Sequence, residues 1–354
     1  MKFDKKLYGG DFEYYALSKP KLKFEDFFKL KNNHMFFSSG SNALSFVFRN
    51  EKLKDKKILI PNYCCWSTIL PIIKENNCNI DFYKVNDDFS LEIPKKAYAD
   101  AIIIINFFGI NDYNKIGLEI RKKNPDICII LDNVQALFEL QNNGANGKWA
   151  NWQIYSFRKF LASPGGGLAL NIKKSFKLRK AVSTNYDNIW KKASNLKKSF
   201  LEGEIKIKEE SYLKAFRNSS NLLRNNIKTN ISKLSFEQIN RQELNIISYR
   251  RKKNYKFLYK NLKKFSEKRF NLFELKNKKI PLFFPIILKN SYREKCLNEL
   301  KLKNLFCAVH WPLINFKFKI KLPKFNDNII SIPIDQRYGE QDMLKILKIL
   351  KETL

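Results

Sequence analysis

The chain has 354 residues, enough for about two domains and a sizeable core. Hydrophobic residues make up 44% and aromatics 14%, which excludes a disordered chain, and no apolar run approaches the roughly 20 residues that span a bilayer. With 67 basic against 34 acidic residues the formal charge is +33; a polyanion partner would explain it, and so would compositional drift toward Lys and Asn.

The first six residues lack the apolar core and cleavage site of a signal peptide, so a cytoplasmic protein is expected. Six cysteines (Cys64, Cys65, Cys78, Cys128, Cys296, Cys307) and two histidines show no paired metal spacing. Reduced core cysteines and no metal site are the simplest expectation.

Along the chain, Ser38-Ser39-Gly40-Ser41-Asn42-Ala43-Leu44 leads into a helical pattern. Backbone N–H groups at a helix start, together with hydroxyls, make a phosphate site; the same string is also an ordinary capped loop. Short β-type runs follow at 57–61 and 80–85, with continuous apolar runs at 101–109 and 127–131. Residues 114–123 read as a crossover helix. Two more strands, 152–157 and 167–171, flank a turn that carries Lys159. The pattern predicts an α/β fold with a mainly parallel sheet, and ligands gathered at the carboxyl ends of its strands. Pro61, Gly109, Asp132 and Lys159 all fall there.

The second half is helical and basic over 175–223, with a long helical stretch over 231–264. Residues 249–269 hold ten basic residues and one acidic one, yet Tyr255, Leu258, Tyr259, Leu262 and Phe265 recur at helical spacing. Those charges therefore line a solvated helix face, and no dedicated nucleic-acid role is expected. Strands at 280–288, 306–311 and 329–332 and a helix at 340–353 complete a smaller α+β domain. The expected division is 1–240 and 241–354.

Lys159 carries the chemical argument. It stands between an apolar run and Gly165-Gly166-Gly167, with Asp132 at the end of the preceding buried strand. A lysine amine can hold the aldehyde of pyridoxal phosphate as a Schiff base, and an aspartate can pair with its protonated ring nitrogen. Taken alone, Asp132 is as well explained by capping the next turn.

In order and spacing these segments resemble the DegT/DnrJ-type, fold-type I, pyridoxal-phosphate sugar aminotransferases. Gly40-Ser41-Asn42-Ala43-Leu44 is similar to the family's phosphate loop, and Leu59-Ile60-Pro61-Asn62-Tyr63 to its strand ending in Pro-x-aromatic. Asn106-Phe107-Phe108-Gly109 with Asp112, and Asp132-Asn133-Val134-Gln135-Ala136, resemble two further boxes. Tyr155-Ser156-Phe157, Lys159 and the glycine run resemble its lysine segment, and Leu234-Ser235 with Arg250-Arg251 extend the likeness.

The resemblance implies Lys159 as the catalytic lysine, acting as base and acid in a 1,3-proton shift. Asp132 would hold the ring nitrogen, Gln135 the 3-oxygen region, and Gly40, Ser41, Asn42 and Ser156 the phosphate. It further implies a homodimer with a partner-supplied phosphate contact, for which Asn225, Asn226 and Asn230 are candidates. The amino donor would be glutamate and the acceptor a keto group on a nucleotide-linked sugar for surface polysaccharide. Lysine rather than histidine at 159 favours amino transfer over dehydration. Ser156 and Lys159 are three apart where the family has five. Tyr63 and Trp66 are each either the aromatic stacked on the ring or a core residue. His310 and Arg337 are either substrate-side residues or, respectively, a buried histidine and a surface arginine. Two further readings are another phosphorylated keto substrate and a degenerate, basic polyanion-binding homologue.

Overall fold

Continuous runs of Ile and Leu are stable as strands where a sheet is covered on both faces, and the two strands built on such runs, 101–105 and 128–132, lie at its centre. The computed structural model describes residues 6–13, 22–94, 98–177, 179–204, 207–225, 230–276, 278–290, 292–312 and 320–354. In chain order come α1 (Phe24–Phe28), β1 (His34–Phe37), α2 (Gly40–Asn50), β2 (Lys57–Pro61), α3 (Trp66–Glu75), β3 (Asn79–Val85) and β4 (Leu91–Glu92). Then follow β5 (Ala101–Ile105), α4 (Asn114–Lys123), β6 (Cys128–Asp132), the short α5 (Gln141–Gly144), β7 (Trp152–Ser156) and β8 (Gly167–Asn171).

These strands form one sheet in the order β1-β8-β7-β6-β5-β2-β3-β4. Strands β3, β2, β5, β6 and β7 are parallel. Strand β8 is antiparallel to both β7 and β1, so β1 regains the direction of β7. The carboxyl ends of β1, β2, β6 and β7 therefore share one edge. From that edge leave the segment before α2, the turn before α3, the turn after Asp132 and the turn with Lys159.

The remaining elements are α6 (Asn185–Leu201), α7 (Glu209–Asn225), α8 (Lys233–Ile239), α9 (Leu244–Arg269), β9 (Phe270–Asn271), β10 (Phe284–Leu288), α10 (Arg293–Leu302), β11 (Ile329–Ile332) and α11 (Glu340–Thr353). Strands β11, β10 and β9 make a second, antiparallel sheet. One hydrophobic cluster runs from Ile103 under the large sheet to Ile330 and Leu350 under the small one. The amino-terminal segment joins the small sheet's side, where Tyr8 bridges Leu305.

Several expectations change. The helical stretch expected over 231–264 is split by residues 240–243, and that over 175–223 begins only at Asn185. The apolar run 101–109 stops being strand after Ile105, because Phe108 turns to φ 57° and the chain bends. The expected strand 306–311 meets β11 through one residue, Ala308 opposite Ser331. Phe306 and His310 instead face a cavity. Among the elements the sequence reading missed, β1 has only four residues, and Pro71 interrupts the pattern of α3. The basic helix α9 behaves as read: Tyr255, Leu258 and Leu262 are buried, although Phe265 is 49% exposed beneath Lys351. Among the described residues no helix is long and apolar enough to cross a membrane, and no cluster of His, Cys, Asp or Glu could hold a metal ion.

The glycine run sets the spacing of the site. A Cβ on Gly167 would stand 2.3 Å from the Ser39 carbonyl carbon and 2.5 Å from Gly40 N. Gly167→Ala must push two backbones apart, and chemical denaturation should show a loss of about 2 kcal/mol or more. Stability equal to the parent would show that β8 does not hold the segment before α2.

Candidate active site

The shared sheet edge closes around a cavity of about 620 Å³. Gly40, Ser41, Asn42, Asp132, Ser156 and Lys159 line it. Helix α2 points its first turn at the cavity. Ser39 caps it, its Oγ accepting from Asn42 N at 3.2 Å, while Asn42 Nδ2 donates to Ser38 Oγ. A Cβ on Gly40 would come within 3.0 Å of Val134 Cγ1 and 3.3 Å of Ser156 Cβ. The missing side chain leaves the N–H groups accessible, which suits an anion.

Asp132 is 7% exposed, and its Oδ1 accepts from Val134 N at 2.9 Å. Burial pushes its carboxyl up to about 6, against the pull of that N–H and of Lys159. Burial acts in the opposite sense on Lys159 and lowers its proton affinity. Cys65 and Asp132 favour the ammonium form, and Arg158 opposes it. A buried carboxylate set near an amine, with only one N–H bonded to it, suits a cationic ring nitrogen.

Lys159 also lines a second cavity of about 470 Å³, as does Arg158. His310 lies there, Nδ1 bonded to Ser331 Oγ at 2.9 Å, and burial followed by the charge of Lys159 pushes it down to about 3. It stays neutral at physiological pH. Arg337 lines the same cavity, but its fork is closed. Nε and a terminal nitrogen donate to Asp335 at 2.8 and 2.9 Å, and Glu13 approaches at 3.5 Å.

Three expected cofactor residues lie elsewhere. Tyr63 is fully buried, its hydroxyl donating to the His310 carbonyl, and its ring packs on Phe107, Trp311 and Phe325. Trp66 is in the core beside Phe82. Gln135 is buried, with Oε1 accepting from Phe108 N at 2.9 Å. None of the three is on the cavity wall. From the turn before α3 it is Cys65 that faces the cavity, and sequence reasoning missed both it and Arg158. Arg158 had a signal, its place directly before Lys159. Asn225 lines the cavity of its own chain, Asn230 Nδ2 bonds to the Lys180 carbonyl at 3.2 Å, and Asn226 lies outside the described residues.

No protein-family model matches the sequence, and no curated protein matches it. Solved structures do. Spr1654 from Streptococcus pneumoniae in its pyridoxamine-phosphate form superposes with a TM-score of 0.65 at 16% identity, over 93% of this chain and 89% of that one. PseC of Helicobacter pylori, an aminotransferase of pseudoaminic acid biosynthesis, gives 0.64 at 15% identity over 98% and 99%. A DegT/DnrJ/EryC1/StrS aminotransferase from Brucella abortus gives 0.61 at 14% over 93% and 87%. The chain has the fold-type I aminotransferase fold.

The elevated Asp132 pKa has a measurable consequence. The folded protein binds this proton more tightly than the unfolded chain, where the ordinary value is 3.8. Stability is therefore lost as pH rises from about 4 past 6, by up to about 3 kcal/mol. Asp132→Asn should make the cofactor-free protein more stable at pH 8 by roughly that amount, with no gain at pH 4. A gain independent of pH in denaturation curves would refute the buried-charge account.

Proposed function

We propose that the chain is a pyridoxal-phosphate-dependent aminotransferase that moves an amino group from glutamate to a keto group of a nucleotide-linked sugar. One observation carries this: Lys159, Asp132 and the amino end of α2 line the same cavity. The neighbours support it, since Spr1654 is described as a sugar aminotransferase in its pyridoxamine-phosphate form and PseC as an aminotransferase involved in the biosynthesis of pseudoaminic acid.

The residues present fit the cofactor. Gly40, Ser41, Asn42 and Ser156 would hold its phosphate, and Asp132 its ring nitrogen. When bound, it supplies an aldehyde that captures amino groups and a ring that draws electrons from the carbon losing its proton. The chain does the rest. Asp132 keeps a negative charge against the ring, relieved of the penalty it pays alone. Burial leaves more of the Lys159 amine neutral, which is the form able to take a proton and return it one carbon away. His310 offers a neutral ring on the substrate side, suited to a hydroxyl or carbonyl rather than to a second anion. Tyr63 and Trp66 lie in the core and Cys65 lines the cavity instead, so a bound ring would meet a smaller, softer group there than the aromatic that the resemblance implies.

The same reading includes a homodimer, a cytoplasmic site of action, a product used in surface polysaccharide, and a small domain beginning near residue 240. Purified protein should be yellow, and borohydride should fix the cofactor to Lys159, as mapped by peptide mass. Lys159→Ala should lower amino transfer by at least about 10³-fold while leaving the fold intact by circular dichroism. A colourless protein that takes up no pyridoxal phosphate would leave only the basic binding homologue.

A further inference from the structure

Three guanidinium groups line the second cavity, and two of them are occupied. Arg337 is forked onto Asp335. Arg251 is buried, with Nε donating to Gln336 Oε1 at 3.1 Å, a terminal nitrogen to the Leu282 carbonyl at 2.8 Å, and its plane over Phe160 at 4.7 Å. Arg158 differs. Its one hydrogen bond among the described residues goes to Ser220 Oγ at 3.2 Å. A guanidinium has five N–H donors in a fixed fork that matches a carboxylate, so most of this fork has no partner among the described residues. Asp11 acts on it through the field without forming an ion pair, and Arg224 opposes that effect. A partly buried cation left this way is costly unless a ligand completes it.

We infer that Arg158 takes the α-carboxylate of the amino donor, with Ser220 bracing the guanidinium; the inference rests on the aminotransferase reading above. Position selects this anion from the others. Arg158 precedes Lys159 and lines both cavities, as Lys159 does. A donor's carboxylate is bonded to the carbon whose nitrogen is transferred, so it must lie beside the lysine. The diphosphate of a nucleotide-linked sugar is separated from the reacting carbon by the bonds of the sugar ring. The cofactor's own phosphate has the first turn of α2 and Ser156. Arg337, named above as a substrate-side candidate, cannot take this role because its partners lie within the chain.

The assignment has a second consequence. The groups that act on Lys159 are Cys65, Asp132 and Arg158, with His310 neutral nearby. A carboxylate seated on Arg158 cancels the one field among them that disfavours the ammonium, so donor binding raises the lysine's proton affinity.

Wild type, Arg158→Gln and Arg158→Lys separate the possibilities. In the holoprotein the KM for glutamate should rise about 100-fold in Arg158→Gln and less in Arg158→Lys, with the affinity for pyridoxal phosphate changed less than about threefold. In the apoprotein, labelling of Lys159 by an amine reagent across pH should shift to higher pH when 2-oxoglutarate is added to wild type, and not in Arg158→Gln. If Arg158→Gln does not fold, Arg158→Lys keeps the charge without the fork and should still raise the KM about tenfold. An unchanged KM, an equal 2-oxoglutarate response in both proteins, or a loss confined to pyridoxal-phosphate affinity overturns the assignment. Absence of borohydride trapping in wild type overturns instead the reading on which it rests.

Discussion

The close approach of β8 to the segment before α2 decides where everything else can sit. Gly166 N donates to the Ser38 carbonyl at 2.6 Å, and Phe157 N to the Gly166 carbonyl at 2.9 Å. Those two bonds tie the amino end of α2 to the turn that carries Lys159, although some 120 positions of sequence separate them. The approach requires a residue without a side chain, since any Cβ at 167 would occupy the space of the Ser39 carbonyl. It also requires β8 and β1 to reverse direction in succession, so that β1 ends at the same edge as β6 and β7. Were β8 parallel to β7, Gly167 would begin at the opposite edge of the sheet, away from Ser39.

Around that edge the charges fall into two kinds. Arg337 with Asp335 and Glu13, and Lys197 with Glu13, are buried pairs whose partners lie within the chain. They contribute rigidity and have little to offer a ligand. Asp132, Lys159 and Arg158 are the other kind: buried or half-buried at the cavity wall, each lacks a full complement of partners among the described residues. Such groups cost stability in the free protein and repay it on binding, which is the usual compromise between fold and site. Counting ionisable residues near a cavity does not separate the two kinds; the bonds they already make do.

The sequence was most legible where local chemistry and fold demand the same residue. Continuous Ile runs located β5 and β6, and the glycines and Lys159 located the turn between β7 and β8, because no other arrangement satisfies those side chains. It was least legible for aromatic and amide groups, whose direction depends on distant packing. Tyr63 and Trp66 precede or open α3 much as a ring-stacking aromatic would, yet Trp311 and Phe325 from the far end of the chain draw Tyr63 into the core. Gln135 is likewise bound to Phe108 N, a donor exposed only because the chain bends there. Arg337 is neither free for a substrate nor on the surface: Asp335, two positions before it, closes the fork, and Glu13 adds to it from 324 positions away.

The same separation explains why the chain names its chemistry more readily than its substrate. The cofactor-side cavity is built from segments between residues 39 and 159, with one contribution from the end of α7. The second cavity is built from both ends of the chain at once: Gly9, Gly10 and Phe12, the helices α6 and α7, and residues on either side of β11. Glu13 links Lys197 of α6 to Arg337 beyond β11, and both cations also donate to the backbone carbonyls of residues 10 and 11, so the amino-terminal segment joins these walls. No short motif can encode a surface assembled from such remote parts. On the aminotransferase reading, substrate choice is therefore a property of long-range packing, whereas the proposed chemistry rests on a few residues at one sheet edge.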